Sequence, residues 1–172
     1  ALALSTADAF ETPLGLVTVD RATCSELLTL EGVQEQDLAH RDEHSLEVQL
    51  PFLQVVLPNV SMVPLLAGRR ATTAMVAAAI ERLLDQPGWL VVISSDLSHF
   101  HAPAVCERLD RETSAVLERL AADELTGDRA CGYLGISGLL VAARRRGWRL
   151  TTVDRRHSGD TAGPSDAVVG YG

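Results

Sequence analysis

The chain contains no lysine: all 15 of its basic residues are arginine. That absence excludes Schiff-base catalysis and the phosphate-gripping lysine of a P-loop, both of which need a primary amine. A basic surplus is missing too. The formal net charge of -8 leaves no cationic stripe for a nucleic-acid backbone. The one basic cluster, Arg144-Arg145-Arg146, precedes Gly147 and reads as the cationic end of a helix followed by its stop. Cysteine is scarce, odd in number and scattered. Cys24, Cys106 and Cys131 offer neither a disulfide framework nor a CxxC zinc motif, which suits reduced thiols. Long apolar runs are also lacking. The opening Ala1-Leu2-Ala3-Leu4 is brief and has no basic flank, and Glu81 and Arg82 interrupt the Ala-rich stretch 72–84. The expectation is a cytoplasmic protein with no signal peptide and no membrane contact.

With 172 residues, 47% of them hydrophobic, the composition suits a single domain over residues 1–172 with a sizeable core. Strand-like and helix-like stretches alternate along it. Residues 16–20 alternate as a half-buried strand, residues 60–66 are an apolar strand bent at Pro64, and residues 147–153 and 168–171 read as later strands. Helical spacing marks residues 21–30, 72–84, 103–122 and 134–143. A helix is also expected from Asp42, with Leu46, Leu50, Leu53 and Leu57 toward the core and a kink where Pro51 removes a donor. A Gly163-Pro164 turn precedes the last strand. This alternation predicts an α/β layer fold, with a central, mostly parallel or mixed sheet flanked by helices.

The organising stretch is W-L-V-V-I-S-S-D-L-S-H-F-H at residues 89–101. Residues 90–93 are continuous β-formers, the signature of a strand buried on both faces. Asp96 and His99 follow where that strand should end, which is where ligands sit in open α/β sheets. Taken alone, Ser-Asp-x-x-His reads first as a helix cap beside an incidental histidine. His44 and Glu47, three apart, share a helix face under the expected helix, and His44 is a further candidate for the same site. Cys131, in a Gly-flanked loop before an apolar helix, reads in isolation as a buried loop thiol. A helix N-terminus there would favour the thiolate that binds metal or attacks.

Several motifs together resemble the Memo family, also called AmmeMemoRadiSam system protein B. They are E-H-S-L-E-V-Q-L-P-F-L at residues 43–53, V-V-I-S-S-D-L-S-H-F at 91–100, C-G at 131–132, S-G-D at 158–160 and V-V-G-Y at 168–171, with T-P-L-G at 12–15 and V-D at 19–20. The resemblance runs the length of the chain in order. It implies a fold like the class III non-haem iron extradiol dioxygenases and a pocket lined by Cys131, Asp96, His99 and His44. In that scheme Cys131 and His99 serve as metal ligands, and Asp96, His99 and His44 serve as catalytic residues. The ion implied is iron or copper, with zinc as an alternative.

The sequence departs from the family pattern at its start. The P-H-A-G-Y-type and G-P-S-H-H motifs, which supply the family's two histidine ligands, are missing together with a strand region, so full ligation by this chain alone is not expected. Two functions follow from the resemblance. One is a metal-dependent redox or dioxygenase-like activity, with His99 moving protons and Asp96 orienting it. The other is a non-catalytic binding or adaptor protein, whose partners by resemblance are radical-SAM and AMMECR1-like proteins. A hydrolase ranks third, because no G-x-S-x-G elbow surrounds Ser94 or Ser95.

Overall fold

The computed structural model describes residues 1–161 and 166–172. The Gly163-Pro164 turn lies outside the described residues. The chain divides into two compact units, residues 1–94 and 95–172. Both mix strands with helices, giving an α/β architecture with three small three-stranded sheets flanked by helices. Among the described residues, no helix is long and apolar enough to cross a membrane.

The first unit runs β1 (Leu2–Leu4), β2 (Ala9–Thr12), β3 (Gly15–Val19), α1 (Arg21–Leu27), β4 (Val33–Glu35), α2 (Asp37–His40), α3 (Leu50–Val56), β5 (Ser61–Met62), β6 (Leu65–Ala67) and α4 (Thr73–Leu84). β1 is the central strand of its sheet, parallel to β4 and antiparallel to β6, and all three of its residues are buried. The hairpin β2–β3 adds β5 in parallel on the β3 edge. Pro64 lies between β5 and β6 and ends one before the other starts, as a residue with no backbone donor should. Side-chain caps fix two helix starts. The Thr23 amide donates to Asp20 Oδ1 at 3.0 Å, and the Met75 amide to Thr72 Oγ1 at 3.3 Å. Each such cap contributes about 1 kcal/mol. α4 then buries Val76, Ala77, Ala79 and Ile80, the apolar stripe its spacing predicts.

The helix expected from Asp42 starts eight residues later. Pro51 occupies the first turn of α3, where its missing donor would be unpaired anyway and its fixed φ suits the helix. Residues 42–49 form turns instead. Glu43 closes them by accepting from the His44 amide at 2.9 Å and the Ser45 amide at 2.8 Å. These bonds, that from Ser45 foremost, hold the Glu43 carboxyl below its usual range.

The second unit runs β7 (His99–His101), α5 (Pro103–Glu118), a 3-10 turn at Ala122–Glu124, α6 (Tyr133–Arg145), β8 (Arg156–His157), a second 3-10 turn at Ser158–Asp160, and β9 (Val168–Tyr171). β9 is the middle strand, antiparallel to β7 and β8. α6 ends as its Arg-Arg-Arg-Gly sequence predicts. Gly147 adopts φ 66°, its amide donates to Arg144 O at 3.3 Å, and the Trp148 amide reaches back to Ala143 O at 2.9 Å.

Two expected strands do not form. Residues 90–93 join no sheet, and Leu90 and Val92 are 64% and 47% exposed. A strand buried on both faces needs a hydrogen-bonding neighbour, and among the described residues none pairs with this one. Residues 147–153 are likewise unpaired, with Val153 at the surface.

Candidate metal centre

The candidate centre is built wholly within the second unit, from residues 95–99 and the loop before α6. The first segment is anchored at its middle. The Leu97 amide donates to Gly170 O at 2.8 Å, and the Gly170 amide donates to Ser98 O at 2.8 Å, which extends the β7–β9 ladder backward. Leu97 and Ser98 are buried, whereas Asp96 and His99 on either side are only partly so. The segment therefore offers its two polar ends. At β7 the pairing steps from His99↔Val169 to His101↔Val168, a bulge centred on Phe100. Phe100 takes the left-handed φ of 59° that this extra residue requires, and its ring meets that of His99 edge-on at 5.8 Å.

Beneath the segment lies a buried polar group. Asp110 of α5 accepts from the Ser98 amide through Oδ1 at 3.0 Å and from the Cys106 thiol through Oδ2 at 3.2 Å. Ser98 Oγ donates to Cys106 Sγ at 3.3 Å. Burial pushes the Cys106 thiol up, and the neighbouring Asp110 carboxylate pushes in the same direction against the Ser98 hydroxyl. Cys106 is thus a thiol that donates, which accounts for a sulfur placed beside an acid. Gly170 is required here, because a β-carbon at that position would overlap Asp110 Oδ2.

The second segment brings Cys131. The Asp96 amide donates to Cys131 Sγ at 3.1 Å, and the Cys131 amide returns a bond to Asp96 O at 3.1 Å. Ser95 Oγ accepts from the Gly132 amide at 2.9 Å, donates to Asp96 O at 2.7 Å and lies 3.7 Å from Cys131 Sγ. Cys131 is exposed, whereas the other two thiols, Cys24 and Cys106, are buried. The loop-thiol reading of Cys131 as buried does not hold, because it sits two residues ahead of α6 with its sulfur facing Asp96 rather than the core.

One oxygen of Asp96, one ring nitrogen of His99 and Sγ of Cys131 all lie within 4.8 Å of one another. His99 Nε2 and Asp96 Oδ2 are 3.7 Å apart. Ligands at ordinary metal distances in a tetrahedral site stand about 3.3–3.7 Å apart. The pair already fits, and the widest gap needs a closure of about 1 Å, within rotamer reach for half-exposed side chains. Sulfur, nitrogen and oxygen from three residues also leave coordination positions open, the property of catalytic sites.

The profile of the Memo-like protein family matches residues 1–172. The chain belongs to the Memo-like family. A MEMO1 family protein of Thermoplasma volcanium is 31% identical to it over 94% of this chain, one of Methanosarcina barkeri is 33% identical over 95%, and one of Thermotoga maritima is 33% identical over 94%. The matched part makes up 63%, 66% and 61% of those proteins, so this Memo-like chain spans less than two thirds of their length.

In this Memo-like chain Cys131, His99 and Asp96 come together. Asp96 Oδ2 lies 3.7 Å from His99 Nε2, too far for the direct hydrogen bond that would orient the ring. His44 belongs to the first unit. There its Nδ1 pairs with Glu47 Oε1 at 2.8 Å across the 42–49 turn, and that bond raises the His44 pKa above its ordinary value. Sequence reasoning missed Asp110. Its signal was an acid in helical register with Cys106, Thr113 and Val116, the buried face of α5.

Proposed function

We propose that this Memo-like protein holds a transition-metal ion through Cys131 Sγ, a ring nitrogen of His99 and a carboxylate oxygen of Asp96, and that the site serves redox chemistry of the dioxygenase-like kind. The observation that carries the reading is the convergence of three unlike donors within 4.8 Å. Thiolate with imidazole favours iron or copper, and zinc fits the same donors without redox capacity. Such an ion supplies Lewis acidity and, if iron or copper, electron transfer.

The chain's own residues do the rest. The Asp96 amide donates to the Cys131 sulfur and fixes where it points. Ser95 holds the Gly132 amide and the Asp96 carbonyl, fixing the loop that presents the thiol. His99 is the proposed proton carrier whenever its ring is not engaged as a ligand. Coordination positions beyond these three are left to water, substrate or groups outside this chain.

The test is elemental analysis of protein purified without a metal-binding tag, followed by a cobalt(II) titration that reads sulfur-to-cobalt absorption. About one equivalent of metal, lost in Cys131→Ser, supports the reading. Protein that retains no metal and shows no thiolate band on adding cobalt removes it.

A binding or adaptor function is the second reading, and the exposed apolar side chains Phe52, Val55 and Val56 of α3 favour it. Radical-SAM and AMMECR1-like proteins are the partners it proposes. Capture of either that survives both chelation and Cys131→Ser would favour this reading over the first.

A further inference from the structure

We propose that Asp110 is a positioning residue for the metal ligands, locking residues 96–99 in the conformation that sets Asp96 and His99 beside Cys131; the proposal rests on the metal-binding reading above. Asp110 is 1% exposed and lies outside the donor group, so it acts through Ser98. Ser98 stands between the two donors in sequence, and α5 holds it twice. Its amide is bound to Asp110 Oδ1, and its hydroxyl to Cys106, whose thiol is in turn bound to Asp110 Oδ2. β9 grips the same stretch through both backbone groups of Gly170. The two grips meet at one point, since the Gly170 α-carbon faces Asp110 so closely that no side chain fits between them. A segment held at residues 97 and 98 by both α5 and β9 has little freedom left at 96 and 99. Preorganisation of this kind raises affinity by removing the cost of ordering ligands on binding.

The rival account is that Asp110 merely stabilises the unit, and the experiment separates the two. Cobalt(II) affinity and thermal stability are measured for the wild type, Asp110→Ala, Asp110→Asn and Val116→Ala. Asp110→Ala is expected to weaken cobalt binding by about 10- to 100-fold, the range seen when an outer partner of a metal ligand is lost. Asp110→Asn should remain close to wild type, because its amide oxygen still accepts from the Ser98 amide and its NH2 can donate to the Cys106 sulfur. Val116→Ala removes buried volume from the same helix and should lower stability without changing affinity. Wild-type affinity in Asp110→Ala, or an equal weakening in Val116→Ala, overturns the proposal. If Asp110→Ala does not fold, Cys106→Ala opens half of the clamp. Unchanged cobalt affinity in that variant overturns the proposal, and a smaller weakening supports it.

Hydrogen exchange of the metal-free proteins gives a readout independent of cobalt. Amides 97–99 should exchange faster in Asp110→Ala than in the wild type, relative to those of α6. Unaltered relative exchange overturns the positioning role even if cobalt binds. Faster exchange in a protein that takes up no cobalt leaves the clamp standing and removes the metal-binding reading alone.

Discussion

Asp96 and Cys131 are joined by two reciprocal hydrogen bonds, amide to sulfur and amide to carbonyl, each 3.1 Å long. The sulfur is therefore placed by backbone as well as by its own rotamer. A serine hydroxyl at 131 accepts the same amide, so Cys131→Ser should fold with little change in stability. Metal affinity should fall by more than the roughly 10- to 100-fold that loss of an outer partner produces. Thermal melts and cobalt titrations on the same samples check this. A large loss of stability with affinity retained would remove Cys131 from the ligand set.

The three thiols should react in a fixed order. Cys131 is exposed, whereas burial raises the pKa of Cys24 and Cys106 and shields them. In native protein at neutral pH an alkylating reagent should label Cys131 rapidly and the other two only on unfolding. Peptide mass mapping reads the sites. Added zinc or cobalt should slow labelling at Cys131, and equal rates with and without metal would contradict a thiolate ligand.

Phe100 carries a large side chain at φ 59° with 77% of its surface exposed. The left-handed region costs a non-glycine residue about 1–2 kcal/mol, and little burial compensates at this position. Phe100→Gly should leave stability unchanged or raise it by up to about 1 kcal/mol, whereas Phe100→Val, β-branched and intolerant of positive φ, should lower it. Urea unfolding of both variants decides. A glycine variant less stable than the wild type would show that the His99–Phe100 ring contact outweighs the backbone strain.

The pair His44–Glu47 sets a pH dependence of definite sign. Its hydrogen bond raises the His44 pKa in the folded state, so the pair's contribution is fully present below the ordinary histidine pKa and is lost as pH rises through the raised one. Both side chains are largely exposed, so the effect on stability is small and weakens with salt. An NMR titration of the His44 ring should find its midpoint above that of an unpaired histidine, and Glu47→Gln should lower it. A midpoint unmoved by that substitution would mean the pair does not form in solution.

Where local chemistry alone determines an element, the residues disclose it. Thr72 and the stripe Val76, Ala77 and Ile80 announce α4, and Gly147 after three arginines announces the end of α6. The proximity of Asp96, His99 and Cys131 was legible through family motifs, since nothing in the sequence between positions 96 and 131, 35 apart, fixes how the loop returns. Other features depend on partners that a linear pattern does not name. Residues 90–93 have a strand's composition, but a strand exists only with a neighbour. Pro51 interrupts one helical pattern and equally well begins another, and the Glu43 turn decides between them. Asp110 was hidden because an acid on a charged helix passes for solvated surface until the fold turns that position inward.

The absence of a side chain at position 170 makes Gly170 and Asp110 a single heritable unit. A change at 170 alone collides with the carboxylate, while a small apolar residue at 110 alone leaves two donors without an acceptor. The order of substitution therefore matters. A lineage can reach a larger residue at 170 only after 110 has shrunk, so across the family the two positions should covary, with the small residue at 110 appearing first on any branch where both have changed.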